Sequence, residues 1–123
     1  MGKVGSLPAV FVKVCGITSE EDALLAVAMG ADAVGFVFAP SPRQIAPQKA
    51  ADIVKRLPAE IVTVGVFRDE TRQRVVDVAH ASRLRGVQLH GRESSADSHW
   101  IRQRVSLDIK AFSAVDPLLD TAD

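Results

Sequence analysis

Side chains able to move a proton or bind an anion recur near predicted strand ends in this 123-residue sequence. Cys15 stands two residues after Lys13, Arg43 follows a pair of prolines, and Gln88 and His90 flank a leucine. A thiol with a reference pKa of about 8.5 needs only a modest depression to act as a base near neutrality. An arginine fork binds a carboxylate or a phosphate, and histidine or glutamine can hydrogen-bond a substrate. These residue types are suited to removing a proton from a carbon atom of a small anionic molecule.

Each of these residues also has a purely structural interpretation. Cys15 could be a small buried hydrophobe, which is the commonest fate of a lone cysteine. Arg43 could be a solvated surface arginine, and His90 could be a histidine satisfied at a strand-loop junction. Two details favour function for Cys15: Gly16 lets backbone approach closely, and Lys13 shares its strand face and would favour the thiolate.

The elements that position these residues alternate between strand and helix. Apolar, β-branched runs predict five strands at residues 10–15, 33–38, 61–67, 86–90 and 108–112. Helical periodicity predicts four helices between them, at residues 19–29, 47–57, 70–82 and 94–104, and a further helical start after Asp116-Pro117. For the first helix, either Thr18 or Ser19 has the spacing of an N-cap, and Gly30 stands where a left-handed C-cap belongs. The whole chain, 1–123, therefore reads as one domain of repeating βα units with a parallel sheet.

Two architectures accommodate such a series. A doubly wound, flavodoxin-like sheet would be complete at five units, whereas a (β/α)8 TIM barrel needs three more. Strand alternation favours the barrel: Lys13 and Cys15 lie opposite Val14, and Gln88 lies opposite Val87. A repeatedly polar face fits the interior of a barrel near its mouth, while a doubly wound sheet prefers strands that are apolar on both sides.

Composition excludes several classes of protein. Apolar residues make up 47% of the chain, and 15 basic residues balance 15 acidic ones, so disorder and a basic nucleic-acid or membrane surface are not expected. One cysteine and no Cys/His cluster at ligand spacing argue against disulfides and structural zinc sites, and indicate a reducing, cytoplasmic location. No apolar run is long enough to predict a membrane span. The expected partner is a small molecule.

Five strings in register carry a family resemblance. They are Lys13-Val14-Cys15-Gly16-Ile17-Thr18, Gly30-Ala31-Asp32-Ala33-Val34-Gly35-Phe36-Val37-Phe38, Ser41-Pro42-Arg43, Val64-Gly65-Val66-Phe67 and Val87-Gln88-Leu89-His90-Gly91. From about residue 12 to residue 112 the chain resembles the phosphoribosylanthranilate isomerases of tryptophan biosynthesis. Any one of these strings alone is weak evidence for the family, whereas five in the same order and spacing are specific evidence.

The resemblance implies a (β/α)8 barrel, of which residues 1–123 cover about the first five units and the start of the fifth helix. It implies an aldose-ketose isomerase that converts N-(5'-phosphoribosyl)anthranilate to the 1-deoxyribulose 5-phosphate form by an Amadori rearrangement, without a cofactor or metal. Cys15 would be the general base, Arg43 would contact the anthranilate portion, and Gln88 and His90 would line the same mouth. The family's acid, an aspartate ending the sixth strand, and its phosphate-binding loops have no counterpart within residues 1–123. We therefore expect this polypeptide alone to be inactive.

The residues also leave two other hypotheses open. One is a flavodoxin-like receiver domain with Lys110 as its strand-five lysine, although Cys15-Gly16 and Phe67-Arg68 occupy the places where such a domain carries acidic residues. The other is a non-catalytic partial barrel, which would form homo-oligomers to cover the unpaired edges of its first and fifth strands.

Overall fold

The computed structural model describes residues 11–89, 94–104 and 110–113, and within these ranges strands and helices alternate. The strands are β1 (Lys13–Cys15), β2 (Ala33–Val37), β3 (Val62–Phe67), β4 (Gly86–Leu89) and β5 (Lys110–Ser113). The helices are α1 (Glu20–Ala28), α2 (Pro47–Val54), α3 (Arg72–Ala81) and α4 (Ser95–Arg104). The predicted helical start after Asp116-Pro117 lies outside the described residues. None of the helices described is both long and apolar enough to cross a membrane.

The strands form one parallel sheet in the order β1-β2-β3-β4-β5. Each strand therefore pairs with its neighbour in the sequence, as in a barrel, whereas a flavodoxin-like sheet places its second strand outside its first. This order overturns the doubly wound alternative, and with it the receiver domain. The two architectures differ in which strands pair with each other, and the hydrophobic periodicity of a strand does not reveal its neighbours.

A buried contact shows that this sheet is curled. The Lys13 ammonium on β1 donates a hydrogen bond of 2.6 Å to Oε1 of Gln88 on β4. In a flat sheet these strands would lie about 14 Å apart, three interstrand spacings, with their side chains standing parallel. The two side chains meet because the face that carries them is concave. This face is the interior of the partial barrel.

The hydrophobic core lies on the opposite, convex face of the sheet. Strand residues such as Val34, Phe36 and Val87 are fully buried there. They join residues from all four helices in a single buried cluster, to which α4 contributes Ile101. The helices are thus layered on one side of the sheet, and the other side is left for the site.

Helix boundaries follow local capping. The Ser19 side chain accepts a hydrogen bond from the Asp22 amide, so Ser19, rather than Thr18, is the N-cap of α1. Gly30 follows this helix with a φ of +97° in the left-handed conformation expected of it. The third helix begins two residues later than predicted because Thr71 is its N-cap and accepts from the Arg74 amide.

The second helix ends at Val54, earlier than the predicted residue 57. The turn that follows the helix is tighter than an α-helical turn, because the Leu57 amide donates to the Val54 carbonyl three residues earlier. Pro58 explains this, because a proline disfavours the helical conformation of the residue before it.

Candidate functional site

A cavity of about 270 Å³ opens at the carboxyl ends of β1, β2 and β3. The residues that line it are Cys15, Gly16, Val37, Ala39, Pro40, Ser41, Arg43, Val66 and Arg68. In parallel βα folds the chemistry collects at this end of the strands. The structure therefore brings Cys15 and Arg43, two of the residues singled out from the sequence, to one cavity. We call it the mouth cavity.

Cys15 is the last residue of β1 and is partly buried on the concave face. Its register partner on β2 is Gly35. A Cβ atom added to Gly35 would lie only 3.0 Å from Sγ of Cys15, which is closer than ordinary contact. Gly35 is thus part of the site because it makes room for the thiol, and a lone glycine inside a predicted strand was the signal for such a close approach.

Gly16 turns the chain away from the strand with a φ of +86°. Its amide and that of Ile17 both donate to the Gly35 carbonyl at 3.0 Å, which anchors the turn to β2. Arg43 crosses directly over this glycine, since an added Cβ at position 16 would stand 2.7 Å from Cδ of Arg43. The missing side chain at Gly16 is what allows the arginine to lie beside Cys15.

The loop that carries Arg43 is folded back onto the strand it follows. The Arg43 amide donates to Oγ of Ser41 at 2.9 Å. The Gln44 side chain donates to the Phe38 carbonyl, and the Ile45 amide to the Val37 carbonyl. These bonds fix the backbone of the loop, while the Arg43 side chain is exposed at the mouth.

Gln88 lies inside the barrel rather than on the mouth cavity. Its side chain is 1% exposed and accepts the hydrogen bond from Lys13. Lys13 is itself buried on the Cys15 face, as the strand alternation predicted, with its ammonium held by Gln88. A substrate contact for Gln88 therefore stays a prediction, and the role that the structure displays for it is to hold Lys13.

Two further residues named from the sequence lie outside the described ranges or at the start of one. His90 lies outside the described residues, one position beyond the end of β4. Lys110 opens β5 and is the register partner of Gly86. Within residues 11–89, 94–104 and 110–113, no group of three or more histidine, cysteine or acidic side chains could hold a metal ion.

Arg68 is a residue of this cavity that the sequence interpretation did not assign to the site. It directly follows β3, and its side chain lines the mouth cavity together with Arg43. The signal was available in the alternation of the strand, because residues 64, 66 and 68 fall on one face. Arg68 also stands in a charged stretch, Arg68-Asp69-Glu70, of the kind that is typical of an exposed turn.

Comparison with known proteins identifies the family of this architecture. Residues 12–120 match the family model described as N-(5'-phosphoribosyl)anthranilate isomerase. An N-(5'-phosphoribosyl)anthranilate isomerase of Desulforudis audaxviator is 50% identical over 101 residues, a match that spans 82% of this chain and 48% of the relative. One from Geobacter sulfurreducens is 47% identical over 110 residues, with 87% and 54% covered.

Solved structures show the same relationship. The phosphoribosyl anthranilate isomerase of Thermotoga maritima superposes with a TM-score of 0.78 at 45% identity, covering 84% of this chain and 50% of that one. The Thermus thermophilus enzyme gives 0.76 at 43% identity, covering 82% and 50%. The chain therefore spans about half the length of the proteins it matches.

Proposed function

Because this chain belongs to the N-(5'-phosphoribosyl)anthranilate isomerase family, we propose that it supplies the amino-terminal part of a TIM-barrel enzyme of tryptophan biosynthesis. The reaction is the conversion of N-(5'-phosphoribosyl)anthranilate to 1-(2-carboxyphenylamino)-1-deoxyribulose 5-phosphate. The observation that carries the proposal is the mouth cavity, where a cysteine and an arginine at the ends of neighbouring units face the same space.

The rearrangement needs an acid and a base. An acid protonates the ribose ring oxygen, the C1'–O bond breaks, and the nitrogen lone pair forms an iminium ion. A base then removes the C2' proton, and the C–H electron pair forms the C1'–C2' double bond of an enol-enamine as the iminium becomes an amine. The C1'–C2' double bond then takes a proton at C1' while the hydroxyl on C2' loses its proton, and this completes the ketone. No electron acceptor or metal takes part in these steps.

Cys15 is the base in this proposal. Its partly buried thiol stands at the strand end where a substrate enters. The buried Lys13 ammonium, two residues earlier on the same face, adds positive charge that favours the thiolate. The acid belongs to a later βα unit of the complete barrel, in keeping with catalytic residues that come from several strands.

Arg43 binds the anthranilate carboxylate. Its loop is fixed by the Ser41 bond and its side chain lies over Gly16, so the guanidinium is aimed at the space next to the thiol. Gln88 and His90 are proposed as further substrate contacts. Of the two, Gln88 would act from beneath the cavity, through the interior that it shares with Lys13.

We assign residues 1–123 to a single partial barrel domain, consistent with the one continuous sheet and one buried cluster formed by the described residues. A reducing, cytoplasmic compartment would keep the Cys15 thiol available. One related structure is a complex with reduced 1-(o-carboxyphenylamino)-1-deoxyribulose 5-phosphate, and the Thermotoga maritima protein is described as dimeric. We propose the same class of phosphorylated ligand and self-association here.

A fusion barrel tests the function. Residues 12–113 would be joined to the complementary carboxyl-terminal segment of the Geobacter sulfurreducens relative, and isomerase turnover would be measured. We expect turnover by the fusion, none by the isolated 123-residue polypeptide, and a loss of about a hundredfold or more for Cys15→Ala. Circular dichroism must show that the variant is folded. A folded fusion without turnover, or a Cys15→Ala fusion as active as its parent, would refute the proposal.

A further inference from the structure

We propose that Arg68 is a second anion-binding residue of the mouth cavity and that it clamps the carboxylate of an aromatic acid together with Arg43. The identity of the acid as an anthranilate rests on the proposed function. The clamp itself rests on the geometry of the cavity.

The position of Arg68 follows from β3. This strand pairs with β2 as far as Val66 and with β4 as far as Phe67, and Val66 lies on the concave face and lines the mouth cavity. One alternation further on, Arg68 falls on the same face. Asp69 then adopts a φ of +51°, which turns the chain outward to the Thr71 cap of α3. The strand end and this turn together hold Arg68 at the rim.

The electrostatics of the cavity favour an anion. Its charged lining residues are Arg43 and Arg68, and none of the described residues that line it is acidic. Neither guanidinium has a hydrogen bond or ion pair with another side chain in the described part of the fold. Two cations facing one space repel each other until an anion lies between them, and two guanidinium forks suit a planar carboxylate.

The shape of the cavity favours a ring beside that carboxylate. Its volume of about 270 Å³ is near the lower end of small-ligand pockets, about 300 Å³. Val37, Ala39, Pro40 and Val66 supply an apolar lining next to the arginines. A benzoate-like group could place its ring on this lining and its carboxylate between the two guanidinium groups.

Binding of a fluorescent probe to the full 123-residue chain tests the clamp without requiring catalysis. The probe is N-methylanthranilate, titrated at low salt. We expect Arg68→Gln and Arg43→Gln each to weaken binding by about fivefold, because each arginine makes a charge-assisted but solvent-exposed contact. The matched control is Arg72→Gln, an exposed arginine of α3 outside the cavity, which should leave the Kd within about twofold.

Three results obtained with the probe and its analogue would overturn the proposal. They are a wild-type chain that does not bind the probe, an Arg68→Gln chain that binds as tightly as wild type, and N-methylaniline, which lacks the carboxylate, binding with the same dependence on Arg68. Inorganic phosphate would also be tested as a competitor. If it displaces the probe and Arg68→Gln weakens phosphate binding more than probe binding, the cavity is a phosphate site and the carboxylate assignment is refuted. If the chain binds the probe with the expected dependence on Arg68 but the folded fusion barrel has no turnover, the proposed isomerase function is refuted and the carboxylate clamp is supported.

Discussion

Glycine is needed at position 16 for two separate physical reasons. Its φ of +86° lies in the left-handed region, and the space that a side chain would fill is occupied by Arg43. Gly30 offers a natural comparison, because its φ of +97° is equally left-handed but an added Cβ would meet nothing within 4 Å. The two positions therefore separate backbone strain from damage to the site.

Alanine at each position should show this difference. We expect Gly16→Ala and Gly30→Ala each to lower the free energy of unfolding by roughly 1–2 kcal/mol, the cost of a side chain in the left-handed conformation. Only Gly16→Ala should also weaken binding of N-methylanthranilate, since the added methyl group displaces the side chain of Arg43. Chemical denaturation and the probe titration measure the two effects. Equal probe affinity in both variants would show that Arg43 does not depend on Gly16.

At the level of elements, a buried polar contact inside the barrel links β1 to β4. The bond between Lys13 and Gln88 joins residues 75 apart in sequence, and both side chains are almost completely buried. A buried charge is tolerated only when its hydrogen bonds are made. This contact therefore favours the curled arrangement of the sheet, in which the two side chains can meet.

A double-mutant cycle on this pair should be asymmetric. We expect Lys13→Met to cost about 1–3 kcal/mol of unfolding free energy, since it removes one buried hydrogen bond of a neutral amide. Gln88→Leu should cost more, because it leaves an ammonium buried beside an apolar side chain. The double variant should recover part of that loss, with a coupling energy of about 0.5–3 kcal/mol.

The exposed Lys49→Met is the control and should change stability by less than about 0.5 kcal/mol. Urea unfolding monitored by circular dichroism measures the wild type and the four variants. Additive effects of the two single substitutions would show that the contact does not stabilise the fold.

At the level of the whole molecule, apolar side chains are exposed around β1 and α1. Val12 and Leu25 are 43% and 58% exposed, and Met29 is 80% exposed. They line an outer cavity of about 510 Å³ beside β1, larger than the mouth cavity. In the described sheet β1 pairs only with β2, so an edge strand and an apolar surface lie together. Such a surface favours association with another chain.

We expect the 123-residue polypeptide to self-associate through this surface. Size-exclusion chromatography with light scattering should show a mass that rises with concentration. Glutamate at both Leu25 and Met29 should shift the protein toward monomer, because it places charge on the apolar surface. Glutamate at Gln48 and His80, exposed polar positions of α2 and α3, is the control and should not. A well-folded wild-type monomer at all concentrations would contradict this prediction.

Much of the fold and part of the site could be predicted because they depend on local pattern. Strand and helix periods, a cap at Thr18 or Ser19 and the left-handed Gly30 are set by neighbouring residues. The structure confirms the periods and Gly30, and it selects Ser19 as the cap. The placement of Cys15 at a strand end and Arg43 in the next loop followed from the same periods. Helix ends such as that at Val54 shifted by a few residues, where a proline competed with the helical pattern.

The sequence by itself determined the βα repeat, the family and the thiol and arginine at neighbouring strand ends. Only the tertiary structure decided that β1 lies at the edge of the sheet as far as it is described, that Gln88 accepts a hydrogen bond from Lys13 inside the barrel, and that Arg68 shares a cavity with Arg43. The physical reason is distance along the chain. Backbone periodicity acts over a few residues, whereas strand order and the curl of the sheet arise from contacts between segments tens of residues apart, such as the one between β1 and β4.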